Sequence, residues 1–144
     1  MIKHPAIFID RDGTIIEDRG YIKSTLDIEF YPYSFTALQN LQKYFLLFII
    51  TNQSGISKGI ITENEVEDVN RYIQVALKRN GIAIQETFYC PHKNEDDCNC
   101  KKPKPFFINL AARIYTIDLS KSFMIGDHPS DAGCAINAGI TPVY

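Results

Sequence analysis

Residues 6 to 14 read Ala6-Ile7-Phe8-Ile9-Asp10-Arg11-Asp12-Gly13-Thr14, and the architecture of the chain follows from them. Four apolar residues in a row, without alternation, suit a strand buried on both faces, as in a parallel sheet. An aspartate follows at once, and a second stands two positions on. Residues two apart on an extended chain point the same way. Asp10 and Asp12 can therefore both face the carboxyl end of the strand, where open α/β sheets place their ligands. Gly13 permits a sharp turn or a close approach of the backbone. Carboxylates this near repel one another unless a cation or a shared proton comes between them. A hard divalent ion such as Mg²⁺ suits oxygen ligands and leaves room for phosphate. The plainer alternative is a strand ending in a polar turn whose aspartates cap backbone amides.

Downstream the same grammar repeats. After the polar loop Glu17-Asp18-Arg19-Gly20-Tyr21, Ser34 is placed to cap a helix to about Tyr44, with Phe35, Leu38, Leu41 and Phe45 at helical spacing. Phe45 to Ile50 is apolar throughout, a second buried strand, and ends in Thr51-Asn52-Gln53-Ser54-Gly55. Thr62-Glu63-Asn64-Glu65 is a capping box and opens a long helix that Gly81 stops. Val66, Val69, Ile73, Ala76 and Leu77 form its buried stripe. Ile82 to Tyr89 alternates and reads as a strand, and Phe106 to Tyr115 as a helix. Phe123-Met124-Ile125 is another strand, followed by Gly126-Asp127-His128-Pro129-Ser130-Asp131. A short helix containing Ala132, Ala135 and Ile136 ends at Gly139, and Thr141 begins a last strand. The order β-α-β-α-β-α-β-α-β implies an α/β fold: three layers, a parallel sheet with helices on both faces. The loops carrying Asp10, Thr51, Lys102 and Asp127 then converge on one edge.

The chain has 144 residues, enough for a single domain over 1–144 with a core of its own. Its formal net charge of −2 gives no field for a polyanion, so no nucleic-acid partner is expected. No apolar stretch is long enough to span a bilayer, and no membrane partner is expected. Met1-Ile2-Lys3-His4-Pro5 lacks the apolar segment of a signal peptide, and a cytoplasmic monomer is the expectation.

A phosphate monoester makes particular demands. Its hydrolysis needs acceleration of up to ~10²¹-fold. The means are positioning, positive charge on the transferring oxygens, a nucleophile and a proton donor for the leaving group. Asp10 can attack phosphorus. Asp12 can protonate the leaving oxygen and later take a proton from water. Thr51 and Asn52 can hydrogen-bond the phosphoryl oxygens, Lys102 supplies a fixed cation, and Asp127 can complete an Mg²⁺ site.

A second constellation is Cys90-Pro91-His92, five residues, then Cys98-Asn99-Cys100. These four ligands suit tetrahedral Zn²⁺. All come from the protein, so the site should be structural. Three cysteines and a histidine crowded into eleven residues favour metal over a disulfide framework. The intervening Lys93-Asn94-Glu95-Asp96-Asp97 is too polar to be held by burial, so a metal staple makes physical sense over about 90–105. Cys134 reads as core packing.

In order along the chain, Asp10-Arg11-Asp12-Gly13-Thr14, Thr51-Asn52, Lys102 and Gly126-Asp127 with Asp131 resemble the four motifs of the haloacid dehalogenase superfamily. The resemblance implies that Asp10 is the nucleophile and Asp12 the general acid/base. It implies that Mg²⁺ is held by the Asp10 side chain, the Asp12 carbonyl and Asp127, with Asp131 steadying the lysine or the metal site. The cysteine loop, read with Lys101-Lys102-Pro103, is similar to the branch holding the heptose bisphosphate and histidinol-phosphate phosphatases. Thr51 to Ile56, Gly59 and Asp18-Arg19-Gly20-Tyr21 resemble the heptose side of it. That resemblance implies a small phosphorylated sugar as substrate, contacted by Asp18, Arg19, Gly20, Tyr21, Thr51, Asn52, Gln53, Ser54, Lys101 and Lys102. Between the first strand and the first helix there is room for a loop but not for a cap domain, and the same holds between residues 55 and 90 if the long helix belongs to the core. Lys101 stands where that branch usually has arginine, and lysine lacks the bidentate fork. Alternatives from other classes are a nucleic-acid 3′-phosphatase, a phosphotransferase and a zinc-stabilised binding module without catalysis.

Overall fold

The first strand, β1 (Ala6–Ile9), is buried at every position, which is what four consecutive apolar residues demand of a strand. The computed structural model describes residues 2 to 144. In chain order there follow α1 (Ser34–Leu41), β2 (Leu46–Asn52), α2 (Glu63–Arg79), β3 (Ile84–Cys90), α3 (Phe106–Tyr115), β4 (Phe123–Ile125), α4 (Pro129–Ala138) and β5 (Thr141–Val143). All five strands lie parallel in one sheet of order β3-β2-β1-β4-β5. The strand order reverses at β1, so its carboxyl end is the switch point where such sheets open a crevice.

Two apolar layers sandwich the sheet. On one face Ile7, Ile9, Leu47 and Ile49 pack with Leu38 of α1 and Val69, Ile73 and Leu77 of α2. On the other, Ala6, Phe8, Phe48 and Ile50 pack with Ile108 and Ala111 of α3 and Cys134 and Ala135 of α4. Alternate residues of β1 and β2 thus divide between the layers, as the two-residue strand period requires. The rings of Phe8 and Phe48 stack with centroids 5.1 Å apart across the central strand pair.

The expected alternation of strands and helices is the one found, with shifted boundaries. The Thr62 capping box is formed in full, and α2 ends where Gly81 takes a φ of +74°. The first helix is shorter than its apolar spacing suggests. Ser34 does not cap it; its Oγ is buried and donates to the carbonyl of Ile15 at 2.7 Å. Thr51 and Asn52 belong to β2 rather than to the loop after it, because they pair in register with Tyr89 and Cys90 of β3. Between β1 and α1 the chain forms a loop with one 3₁₀ turn, Thr25–Asp27, and between β2 and β3 the one helix is α2. Among the described residues no cap domain is inserted at either place.

Candidate active site

The carboxyl ends of β1, β2 and β4, the loop before α3 and the start of α4 enclose a cavity of about 520 Å³. Asp10 and Asp12 leave β1 into it. Thr51, Asn52, Gln53 and Ser54 reach it from the end of β2, Lys101 and Lys102 from the loop after β3, and Asp127 and Asp131 from beyond β4. Asp18, Gly20 and Tyr21 line one side and His128 and Ser130 another. A somewhat larger groove, about 630 Å³, runs along α2 and β3 past Glu67, Arg71 and Gln74. None of the clustered aspartates lines it, and the chemistry belongs to the smaller cavity.

Lys102 is the centre of the floor. Its Nζ donates to Asp10 Oδ1 at 2.8 Å, to Asp131 Oδ1 at 2.6 Å and to the carbonyl of Ile50 at 2.9 Å. These three acceptors use all three ammonium protons. Asn52 fixes the lysine backbone, its Oδ1 accepting from Lys102 N at 3.1 Å. Burial works against the Lys102 charge, but Asp10 and Asp131 outweigh it and leave the ammonium harder to deprotonate than usual. Burial pushes the Asp10 carboxyl up to about 6; the Lys102 charge opposes that rise and the Asp131 charge adds to it.

Asp131 accepts from the backbone N–H of His128 through Oδ2, at 3.2 Å, at the N-terminus of α4. The same residue thus caps a helix and holds the lysine. Gly126 leaves room for it: a Cβ there would collide with the Asp131 carboxylate. Gly13 plays the same part for Asp127, since a Cβ at Gly13 would lie 2.5 Å from Asp127 Oδ2. Its φ of +84° is also in the region that favours glycine.

Carboxylate oxygens of Asp10, Asp127 and Asp131 all lie within 4.8 Å of one another. Three carboxylates face one ammonium, so the cluster carries uncompensated negative charge and a set of hard oxygen donors. That composition fits a divalent cation such as Mg²⁺. When bound, the ion would neutralise charge on a phosphoryl group beside Asp10.

On the opposite wall, Gln53 Nε2 donates to Thr51 Oγ1 at 2.9 Å and to Asp12 Oδ2 at 3.1 Å. Both Thr51 and Gln53 are buried. Lys58 donates to Tyr21 OH at 2.9 Å and lies over its ring. Its hydrogen bond, then that of Ser54, makes the phenol more acidic than usual. Gly55 is a contact surface for Tyr21, because any Cβ there would strike the ring at 2.6 Å. Lys58 carries no signal in the chain that singles it out; His128 is marked only by its place directly after Asp127, and it is the N-cap of α4.

Two expected site residues lie elsewhere. Arg19 does not line the cavity. Its guanidinium turns back onto Glu17 Oε2 at 3.0 Å and the carbonyl of Asp27 at 3.3 Å, while Asp18, Gly20 and Tyr21 face inward. His92 is not gathered with the cysteines. Its Nδ1 lies 3.3 Å from Asp96 Oδ2, and Asp96 also bonds the Ser57 hydroxyl.

The sulfurs of Cys90, Cys98 and Cys100 do converge, within 4.8 Å of one another. Against the expectation of a metal rather than a disulfide in this loop, Cys90 and Cys100 are joined as a disulfide, and Cys98 and Cys134 are free. β3 delivers Cys90 to its end, and the turn of the polar loop returns Cys100 against it. Zinc takes thiolates, so this donor set fits zinc when that bond is reduced.

Residues 16–144 match the family model of haloacid dehalogenase-like hydrolases, and the chain belongs to that family. It is a phosphatase within it. The D-glycero-β-D-manno-heptose-1,7-bisphosphate 7-phosphatase of Helicobacter pylori strain J99 is 41% identical over 137 residues, 94% of this chain and 79% of that protein. That of Helicobacter pylori strain 26695 is 39% identical over 97% of this chain and 82% of its own length. Among solved structures, the D,D-heptose 1,7-bisphosphate phosphatase of B. bronchiseptica, complexed with magnesium and phosphate, superposes with a TM-score of 0.88 at 31% identity. The match covers 96% of this chain and 78% of that one.

Proposed function

We propose that this chain removes the 7-phosphate from D-glycero-β-D-manno-heptose 1,7-bisphosphate through an aspartyl-phosphate. The observation that carries the substrate is the likeness to proteins of that name, 41% and 39% identical over nearly all of this chain. In this reading Asp10 attacks phosphorus as the bond to the leaving oxygen breaks. Asp12 gives that oxygen its proton, then takes one from the water that opens the acyl phosphate. Thr51 and Asn52 hold the phosphoryl oxygens, Lys102 sets its positive charge beside them, and Asp131 keeps Lys102 charged and aimed. Mg²⁺ is assigned to the Asp10 side chain, the Asp12 carbonyl and Asp127. Asp18, Gly20, Tyr21, Gln53, Ser54 and Lys101 are assigned to the sugar and its second phosphate. Their position on the walls of the cavity supports this.

A structural zinc on Cys90, Cys98, Cys100 and His92 completes the proposal. The convergence of the three sulfurs supports it, and His92 stands close enough in sequence to join them by leaving Asp96. The reading is of a single domain over residues 1–144, working as a monomer in the reducing cytoplasm. No helix among the described residues is long and apolar enough to cross a membrane.

The test is phosphate release, with Mg²⁺ present, from heptose 1,7-bisphosphate beside histidinol phosphate. Preference for the heptose ester is the expected result. Preference for histidinol phosphate overturns the substrate assignment and leaves the phosphatase chemistry standing.

A further inference from the structure

We infer that Arg11, anchored by Asn70 of α2, is a positioning residue for Asp12, and that it leaves Asp12 Oδ1 as the oxygen that carries the transferred proton. This rests on the reading of Asp12 as the acid/base.

Arg11 is only 1% exposed and is the bulkiest side chain buried to that degree. A guanidinium cannot be neutralised at working pH, so burying one is costly unless it is paired and hydrogen-bonded. Here it is. Nε donates to Asp12 Oδ1 at 3.1 Å and Nη2 to Asp12 Oδ2 at 3.1 Å, the two-point fork that suits a carboxylate. On its far side Nη1 donates to Asn70 Oδ1 at 2.8 Å, a contact made across 59 residues of chain. Asn70 is itself 8% exposed, in the middle of α2. Adjacent residues on a strand point to opposite faces. Asp10 thus reaches the cavity floor while Arg11 is sent into the α2 layer, from where its fork returns to hold Asp12.

The geometry also distinguishes the two oxygens of Asp12. Each carboxylate oxygen has two lone pairs. Oδ2 accepts from Arg11 Nη2 and from Gln53 Nε2, at 3.1 Å each, and both its positions are filled. Oδ1 accepts from Arg11 Nε alone. A proton on Asp12 therefore sits on Oδ1. In the transfer step the bond from phosphorus to the leaving oxygen breaks, its electron pair goes to that oxygen, and the Oδ1 proton follows. Asp10 takes the phosphoryl group, and Asp12 is left as the carboxylate that the Arg11 fork already fits. The clamp thus fixes the orientation of Asp12 and the direction in which its proton leaves.

The test uses two esters of similar shape, p-nitrophenyl phosphate and phenyl phosphate, whose leaving groups differ in their need for a proton. kcat/KM is read because it covers the chain of steps up to leaving-group departure. Asn70→Ala and Arg11→Lys should each lower kcat/KM for phenyl phosphate about tenfold more than for p-nitrophenyl phosphate, a part of the ~10²–10⁴-fold a general acid supplies. Asn70→Asp, which keeps the acceptor, should restore the ratio. In an Asp12→Asn protein, adding Asn70→Ala should move the ratio by less than about twofold, since the two act as one unit. Parallel losses on both esters, or a full Asn70→Ala effect without Asp12, would overturn the positioning role. Asp12→Asn alone reports separately on the acid/base reading: wild-type turnover there removes that reading and, with it, the role of Arg11.

Discussion

The floor of the cavity and the cysteine loop adjoin at Lys101 and Lys102, yet they are held in opposite ways. On the floor, the Lys102, Asp10 and Asp131 side chains are 3%, 12% and 2% exposed, and every ammonium proton has an acceptor. Asp10 hangs from a strand end and Asp131 from a helix N-terminus, and Asn52 at the end of β2 fixes the Lys102 backbone, so the sheet sets the spacing. Residues 91–105 contain one short 3₁₀ turn, Asn94–Asp96, and only Lys102 among them is buried. What holds that stretch is polar: Ser57 to Asp96, Asn137 to the Pro103 carbonyl, Lys104 to the Cys98 carbonyl, and the sulfurs. A site on rigid elements is preorganised by the core. A loop without a core needs a cross-link, and here it ends on the residue that the floor depends on.

The difference can be broken from either side. Asp10→Asn should remove the nucleophile and lower turnover by at least roughly 10⁴-fold, with the fold intact by circular dichroism. Retained turnover would end the aspartyl-phosphate reading.

Lys102→Met should cost about 3–5 kcal/mol of stability in urea unfolding, because it leaves buried carboxylates without their cation. The sign of its pH dependence follows from Asp10, whose carboxyl is already raised to about 6 with the lysine present. A carboxyl raised on folding means that the folded state binds more protons than the unfolded chain. The metal-free Lys102→Met protein should therefore gain stability as pH falls from 7 toward 5, which urea titrations at several pH values would measure.

On the loop side, the reduced protein should carry about one zinc per chain by elemental analysis, and Cys98→Ser markedly less. Stripping the metal should expose residues 91–105 to protease well before the sheet unfolds. Uniform loss of protection over the whole chain would show that the loop is not a separate unit.

The mildest contrast lies between two thiols. Burial pushes Cys134 up to about 11. Near pH 8 it should react with a thiol reagent roughly 10²-fold more slowly than an ordinary cysteine. Cys98, half-buried and free, should be modified first once zinc is absent.

Much of the floor was legible in the chain because its parts are local. Ala6 to Ile9 announces a buried strand, and Asp10 and Asp12 can hardly avoid its carboxyl end. The Thr62 box and Gly81 bracket α2 by backbone chemistry that needs no partner. Lys102 was legible by its place in an ordered set of motifs. Less was legible in the loop. Spacing brought three sulfurs together, but it placed His92 with them when that ring faces Asp96, and it did not foresee the Cys90–Cys100 bond.

From the amino-acid order alone come the alternation of strands and helices, the parallel sheet and the edge at which the aspartates gather. These depend on period, turn chemistry and apolar runs, all properties of neighbouring residues. Only the tertiary structure decided that Arg19 faces outward, that Asp131 serves a helix cap and a lysine together, and that Arg11 crosses the core to Asn70. Two of those choices, Asp131 on Lys102 and Arg11 on Asn70, join side chains 29 and 59 residues apart. The packing of α2 and α4 on the sheet, rather than any local preference, determines which partners are within reach.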